Sequence, residues 1–197
     1  MKDNCVLMAE SVTEGHPDKL CDTIADAVLD ACLALDCSAH VACEVMATAG
    51  KIIAAGEITA SRLPDIPAVL CQTVREAGYG GADYEVEVIT HAQSPDIAGV
   101  VGESGELGAG DQGIVYGYAC EETPELLPLP VVLAHRLTRL LTEARKRNTI
   151  PGIRPDGKAE VAVEYRNGRP KRVAAVVVSC QHEAELALPE LRRAVMR

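Results

Sequence analysis

Residues 10–31 read ESVTEGHPDKLCDTIADAVLDA, a Gly-His-Pro-Asp-Lys turn that runs straight into a helical pattern. Pro17 suits the first helical position, where its missing N–H leaves nothing unpaired. Leu20, Ile24, Ala27, Val28, Ala31 and Leu35 recur on one face, and Asp18, Asp22, Asp26 and Asp30 on another. The spacing therefore predicts a helix from Pro17 to about Leu35. Two readings fit its first turn. One is a plain N-terminal cap, with Asp favoured there for its charge. The other is an anion site, in which first-turn N–H groups and the helix dipole meet a phosphate, His16 and Lys19 add positive charge, and Asp18 holds Mg²⁺.

The surrounding elements make an α/β (α+β) fold of repeated units. Residues 4–9 read as a strand before the helix. VACEVMAT and KIIAAGEIT, joined by Ala49-Gly50, read as a hairpin. A helix at 65–77, closed by Gly78, and the alternating strand YEVEVITH at 84–91 complete a βαββαβ unit. Residues 93–112, QSPDIAGVVGESGELGAGDQ, carry no usable period and read as a long loop, a length typical of lids, binding loops and linkers. The order then restarts with strand GIVYGYA at 113–119, a helix at 129–147, a hairpin around Asn167-Gly168 and a helix from Pro189. The expected division is an N-terminal unit at 1–92, a loop at 93–112 and a central unit at 113–197. The second unit stops one strand short, which implies a truncated or unusually short product.

Composition narrows the function classes. The 197 residues are 48% hydrophobic, with no Trp, no Phe and five Tyr, so the core must be aliphatic and stacking platforms for bases are not expected. A net charge of −10 gives no basic face for nucleic acid, and any phosphate-bearing ligand needs local cations or a metal. The eight cysteines include no C-x-x-C spacing and read as buried, reduced thiols. The N-terminus lacks a signal-peptide core and the longest apolar run, VAAVVV at 173–178, is too short to cross a bilayer. The reading is a cytoplasmic protein with no membrane partner.

Further positions could carry chemistry. Glu44 and Glu57 stand amid apolar neighbours in the two hairpin strands, either on a solvated sheet face or facing a cation or a ligand's ammonium group. Gly56, just before Glu57, suggests a close ligand approach. GAGDQG at 108–113 surrounds Asp111 with glycine, yet lacks the Lys-Ser/Thr of a Walker loop and precedes a strand instead of following one. In IRPDGK at 153–158, Pro155-Asp156-Gly157 reads as a turn, with Lys158 either starting a strand or aimed at phosphate. No Ser-His-Asp or Cys-His order is visible.

ESVTEGHPDKLCDTIADAVLDA, VACEV, GEIT, TVREAGY, QSPDI, GAGDQGIVYGYA, LPLPVVLAHRL and RPDGKAEV, in this order, resemble the S-adenosylmethionine synthetase (methionine adenosyltransferase) family over nearly the whole chain. The resemblance implies a transferase that joins ATP and L-methionine into S-adenosylmethionine and splits the triphosphate to pyrophosphate and phosphate. It implies that His16 and Lys158 are catalytic, and that His16, Asp111, Asp156, Gly157 and Lys158 contact ATP. Glu57 and Gln93 would bind methionine, Asp18 would bind Mg²⁺, Glu44 would bind K⁺, and residues from Gln93 to about Leu107 would gate the site. It also implies three similar domains and a homodimer with shared active sites. The segments GGPxGDxGLTGRK and GGGAFSGKD of the family's last third do not occur in this sequence. The chain would then be a truncated or split enzyme that works with a companion C-terminal chain. The alternative is a non-catalytic paralogue that dimerises with and regulates a full-length synthetase. Another Mg-dependent nucleotide-binding enzyme fits less well, because GEIT and QSPDI match the methionine side too.

Overall fold

The computed structural model describes residues 4–80, 84–96 and 112–197. Of these, the residues up to Lys19 and from Tyr118 onward form one compact unit, and those from Leu20 to Gly117 form another. Among the described residues the fold is mixed α/β with two small sheets and four α-helices, as the sequence pattern implied.

In the first unit, β1 (Cys5–Val12) pairs antiparallel with β5 (Ile153–Arg166), which pairs antiparallel with β6 (Arg169–His182). Side chains of β5 alternate, with Ala159, Val161, Val163 and Tyr165 facing inward. Helix α3 (Leu129–Lys146) covers that face, placing Ala134, Leu129, Leu133 and Leu137 against it. Glu122 fixes the start of α3, accepting the Leu129 N–H at 2.9 Å and the Tyr165 hydroxyl at 2.5 Å. Burial first, and then that carboxylate, push the Tyr165 phenol well above its ordinary pKa. Asn167 and Gly168 both take positive φ, the left-handed pair a tight hairpin between β5 and β6 needs. Helix α4 (Leu188–Val195) follows.

In the second unit, β2 (His40–Thr48) pairs antiparallel with β3 (Lys51–Thr59), and β3 pairs parallel with β4 (Glu85–His91). The core joins Leu20, Ile24, Val28 and Cys32 of α1 (Pro17–Leu35) to Ile52, Ala54 and Ile58 of β3 and to Ile66, Leu70 and Val74 of α2 (Ile66–Val74). Asp65 caps α2, its Oδ1 accepting the Ala68 N–H at 3.1 Å. The helix runs on as a π-helical turn, Arg75–Tyr79, and Gly78 at φ 107° ends it.

Four expectations change. The strand before α1, expected within the 1–92 unit, pairs with β5, so the first repeat's opening strand lies in the sheet of the second repeat. Residues 113–119 form no strand, because no neighbouring strand among the described residues takes their hydrogen bonds. Helix α1 buries Cys32, while Leu35 is exposed. All eight cysteines are free, as expected, yet only Cys32 is buried, and Cys5 and Cys37 are exposed.

Asp36, just after α1, accepts the Ser38 hydroxyl at 2.6 Å, the Ser38 N–H at 3.0 Å and the Ser61 N–H at 2.7 Å. These donors, the Ser38 hydroxyl foremost, hold its carboxyl well below the usual range. A lowered folded-state pKa gives stability that is complete above the unfolded value of about 4 and is lost as pH falls. The stability gap between wild type and Asp36→Asn should therefore be largest near neutrality and shrink below about pH 4. Denaturant midpoints measured from neutral to acid pH check this, and a pH-independent gap would refute it.

Candidate functional site

The first unit clasps the GHPDK turn against β5. Thr13 donates its N–H to the Gly157 carbonyl at 2.9 Å and its hydroxyl to the Pro155 carbonyl at 2.6 Å. Gly15 lies so close that a Cβ there would come within 2.3 Å of Pro155 Cβ and 2.6 Å of its carbonyl carbon. Gly157 is confined less severely, since a Cβ would meet the tip of the Leu141 side chain at 2.8 Å and the Thr13 methyl at 3.2 Å. Two glycines thus let turn and strand interlock. Glu14 adds a second tie, pairing with Arg145 and, at 2.7 Å, with Lys146 in the last turn of α3, where cations also suit the helix dipole.

His16 follows that clasp, with its side chain 20% exposed. The Asp18 N–H donates to His16 Nδ1 at 3.3 Å, so the neutral imidazole carries its proton on Nε2. His16, Asp156, Gly157 and Lys158 line one cavity of about 390 Å³ with Ser179, Cys180 and Gln181 of β6. Lys158, itself half-buried, reaches the exposed Glu10 on β1 at 3.1 Å. The Asp156 N–H donates to Gln181 Oε1 at 3.4 Å, which ties this end of β5 to β6. Pro155-Asp156-Gly157 is not the free turn expected from its composition. It lies inside β5, where the register with β6 shifts between Ile153 and Gly157, an irregularity that re-aims side chains.

In the second unit, Glu44 and Glu57 share the sheet face turned away from α1 and α2. Glu57 stands opposite Ala42 on β2 and beside His91 on β4, with Oε1 3.9 Å from His91 Nδ1. Glu44 stands opposite Ala55, whose other neighbour is Ile89. The Gln93 N–H donates to Thr59 Oγ1 at 3.0 Å, which brings Gln93 to the end of β3 two residues beyond Glu57. Gly56 does not leave room for a ligand. A Cβ there would lie 2.0 Å from the Ala42 carbonyl oxygen, so the close approach is made by the hairpin's own backbone.

The residues of the phosphate-directed set, His16, Asp18, Asp156, Gly157 and Lys158, fall in one unit, and Glu44, Glu57 and Gln93 fall in the other. Asp111 and most of the expected gating loop lie outside the described residues. Among the described residues, no three His, Cys, Asp or Glu side chains converge as a metal site. Asp18, 88% exposed in the first turn of α1, fits the Mg²⁺ mode in which one carboxylate shares the ion with water and substrate phosphates. Glu44 stands between Cys43 and Val45 and offers one carboxylate on this face. The pattern reading missed Thr13, Gly15 and Glu14, whose only signal is their position immediately before His16.

Comparison with known proteins bears on both units. The family model for the S-adenosylmethionine synthetase N-terminal domain matches residues 4–98, and that for the central domain matches 106–197. The chain belongs to the S-adenosylmethionine synthetase family. The S-adenosylmethionine synthases of two Thermus thermophilus strains are each 49% identical over 211 residues, covering 98% of this chain and 53% of theirs. The chain thus spans about half the length of the curated synthetases it matches. The interlocked turn and strand lie within the matched domains, as do the residues of both sheets. No helix among the described residues is long and apolar enough to cross a membrane.

Proposed function

We propose that the chain supplies part of a methionine adenosyltransferase, forming S-adenosylmethionine from ATP and L-methionine with release of phosphate and pyrophosphate. The observation that carries this is the cavity shared by His16, Asp156, Gly157 and Lys158, held in place by Thr13 and Gly15. Displacement of triphosphate by a thioether sulfur requires no protein nucleophile. It needs alignment and stabilisation of a highly charged leaving group. His16 Nε2–H would donate to an oxygen of the departing triphosphate, and the Lys158 ammonium would balance its charge. Asp156 and Gly157 would contact the nucleotide, with Asp111 beside it. Glu57 would receive the methionine ammonium group, and Gln93, tethered to Thr59, would bound the same pocket. Mg²⁺ held by Asp18 would neutralise phosphate charge when bound, and Glu44 would be one of several oxygen donors to K⁺.

His16, Lys19 and Lys158 are few cations for a triphosphate on a chain of net charge −10. The reading is therefore of a partial enzyme, cytoplasmic, working as a dimer or with a companion chain that supplies the rest of the synthetase length. Incubated with ATP, methionine, Mg²⁺ and K⁺, the chain alone should give no S-adenosylmethionine. It should give product when mixed with a polypeptide carrying the part of the Thermus synthase that this chain lacks. Product from the chain alone would refute the partial-enzyme reading. A stable but inactive mixture would favour the second reading, a non-catalytic module that dimerises with and regulates a full-length synthetase.

A further inference from the structure

Successive side chains of β1 leave the strand on opposite faces. Glu10 reaches Lys158, which lines the His16 cavity, whereas Ser11 turns to the other face and meets α3. There a groove of about 470 Å³, larger than the His16 cavity, lies between the end of β1 and α3. Its lining residues all belong to the first unit. Two buried hydroxyls stand in it. Ser11 and Thr138 bond to each other at 2.9 Å, and Ser11 also meets His135 Nδ1 at 3.1 Å. Thr138 gives its own proton to the carbonyl of Ala134 or His135, so the single Ser11 proton goes either to Thr138 or to His135. When His135 Nδ1 accepts it, the neutral ring carries its proton on Nε2 and keeps a donor for the groove.

The helix over this groove is basic in an acidic protein. It carries Arg136, Arg139, Arg145 and Lys146 against one carboxylate, Glu143, while the whole chain has a net charge of −10. The carboxylates around the groove are already engaged, Glu14 by Arg145 and Lys146, and Glu143 by Arg147 at 3.8 Å. Arg139 makes no ion pair among the described residues, and the half-buried Thr142 hydroxyl, on the next turn of the same helix face, makes no hydrogen bond among them. Lys19 also lines the groove. A guanidinium is a planar fork of donors that matches two phosphate oxygens at once, and the volume is that of a small-ligand site. We propose that this groove binds a phosphate group, either free or esterified to a small polar alcohol. Arg139 grips the phosphate, Thr142 and His135 Nε2–H donate to it, and the Ser11–Thr138 pair holds the imidazole in place. Because the groove lies across β1 from Glu10 and Lys158, this binding does not depend on the reading of the chain as part of a synthetase.

The test is NMR on the full chain at constant pH and ionic strength, following the ring resonances of His135 and His16 as inorganic phosphate, ribose 5-phosphate or ribose is added. Both phosphate compounds should shift His135 saturably and ribose should not. The tighter of the two tells whether the phosphate arrives free or as an ester. Arg139→Gln should keep wild-type thermal stability, since its exposed side chain has no partner to lose, and should weaken binding read at His135 by at least about tenfold. Thr142→Val should weaken it by a smaller factor, as expected for a neutral donor. Lys158→Gln should leave the His135 response unchanged and diminish any shift at His16. The proposal is overturned by a His135 resonance that does not move, by ribose acting as well as the phosphates, or by full affinity in Arg139→Gln. Loss of the His135 response in Lys158→Gln would also overturn it, by placing the phosphate in the other cavity.

Discussion

His16→Ala should lower S-adenosylmethionine formation by about 10²–10³-fold in the complemented mixture, and Lys158→Ala by roughly 10²-fold, with both variants folded as wild type. The contacts that position these side chains are too weak to confuse function with stability. The His16 ring accepts a local hydrogen bond from the Asp18 N–H at 3.3 Å. Lys158 pairs with Glu10 where the two side chains are 38% and 60% exposed, and such solvent-accessible pairs contribute only about 0–1 kcal/mol. A loss of rate without a loss of thermal stability would therefore report chemistry. The effect should fall on kcat more than on the KM for ATP, because stabilisation of a leaving group grows as the bond breaks. Glu10→Gln, which frees Lys158 of its partner, should leave folding unchanged and retain most activity. Full turnover in both His16→Ala and Lys158→Ala would show that this cavity is not where the triphosphate departs.

Local features of the fold were legible because the signals that specify them are local. The apolar spacing of α1, the Gly78 stop and the Asn167-Gly168 turn each reside in a few consecutive residues, and each is present. Pairing across the chain leaves no such mark. Nothing in CVLMAESV distinguishes β2 from β5 as its neighbour, since either offers a hairpin edge and alternation is the same for both. The segment at 113–119 shows the complementary failure. Its alternation specifies a strand, but a strand exists only when another backbone takes its hydrogen bonds.

The candidate site was legible in kind but not in assembly. GHPDK and PDGK could be picked out as anion-directed pieces, and the structure brings His16 and Lys158 to one cavity. The groups that hold them there are a threonine hydroxyl, two glycines and a glutamate. These residue types are too common in turns to attract notice, and their contacts span more than a hundred residues of sequence. The composition of Pro155-Asp156-Gly157 misled for a related reason. Turn formers also suit a bulge inside a strand, and only the register with β6 separates the two.

Gly56 gives the largest stability effect expected here. Its φ of 143° is a conformation that residues with a Cβ rarely adopt, and an added methyl would lie 2.0 Å from the Ala42 carbonyl oxygen. That atom cannot rotate away like a flexible side chain, because it belongs to the β2 backbone within the β2–β3 pairing. Backbone strain and overpacking each cost about 1–3 kcal/mol, so Gly56→Ala should lose about 2–4 kcal/mol, a large part of a small domain's stability. Gly50 and Gly168 are matched controls, with φ of 74° and 75° and open space where a Cβ would go. Alanine at either should cost only about 1 kcal/mol, from conformation alone. Denaturant melts of the three variants resolve the ranking. The loss at Gly56 should also reduce activity through Glu57, whose carboxylate position depends on the same stretch of β3, whereas the controls should retain activity. If Gly56→Ala were no less stable than Gly50→Ala, the hairpin would have room at this point and the close approach would not be a backbone constraint.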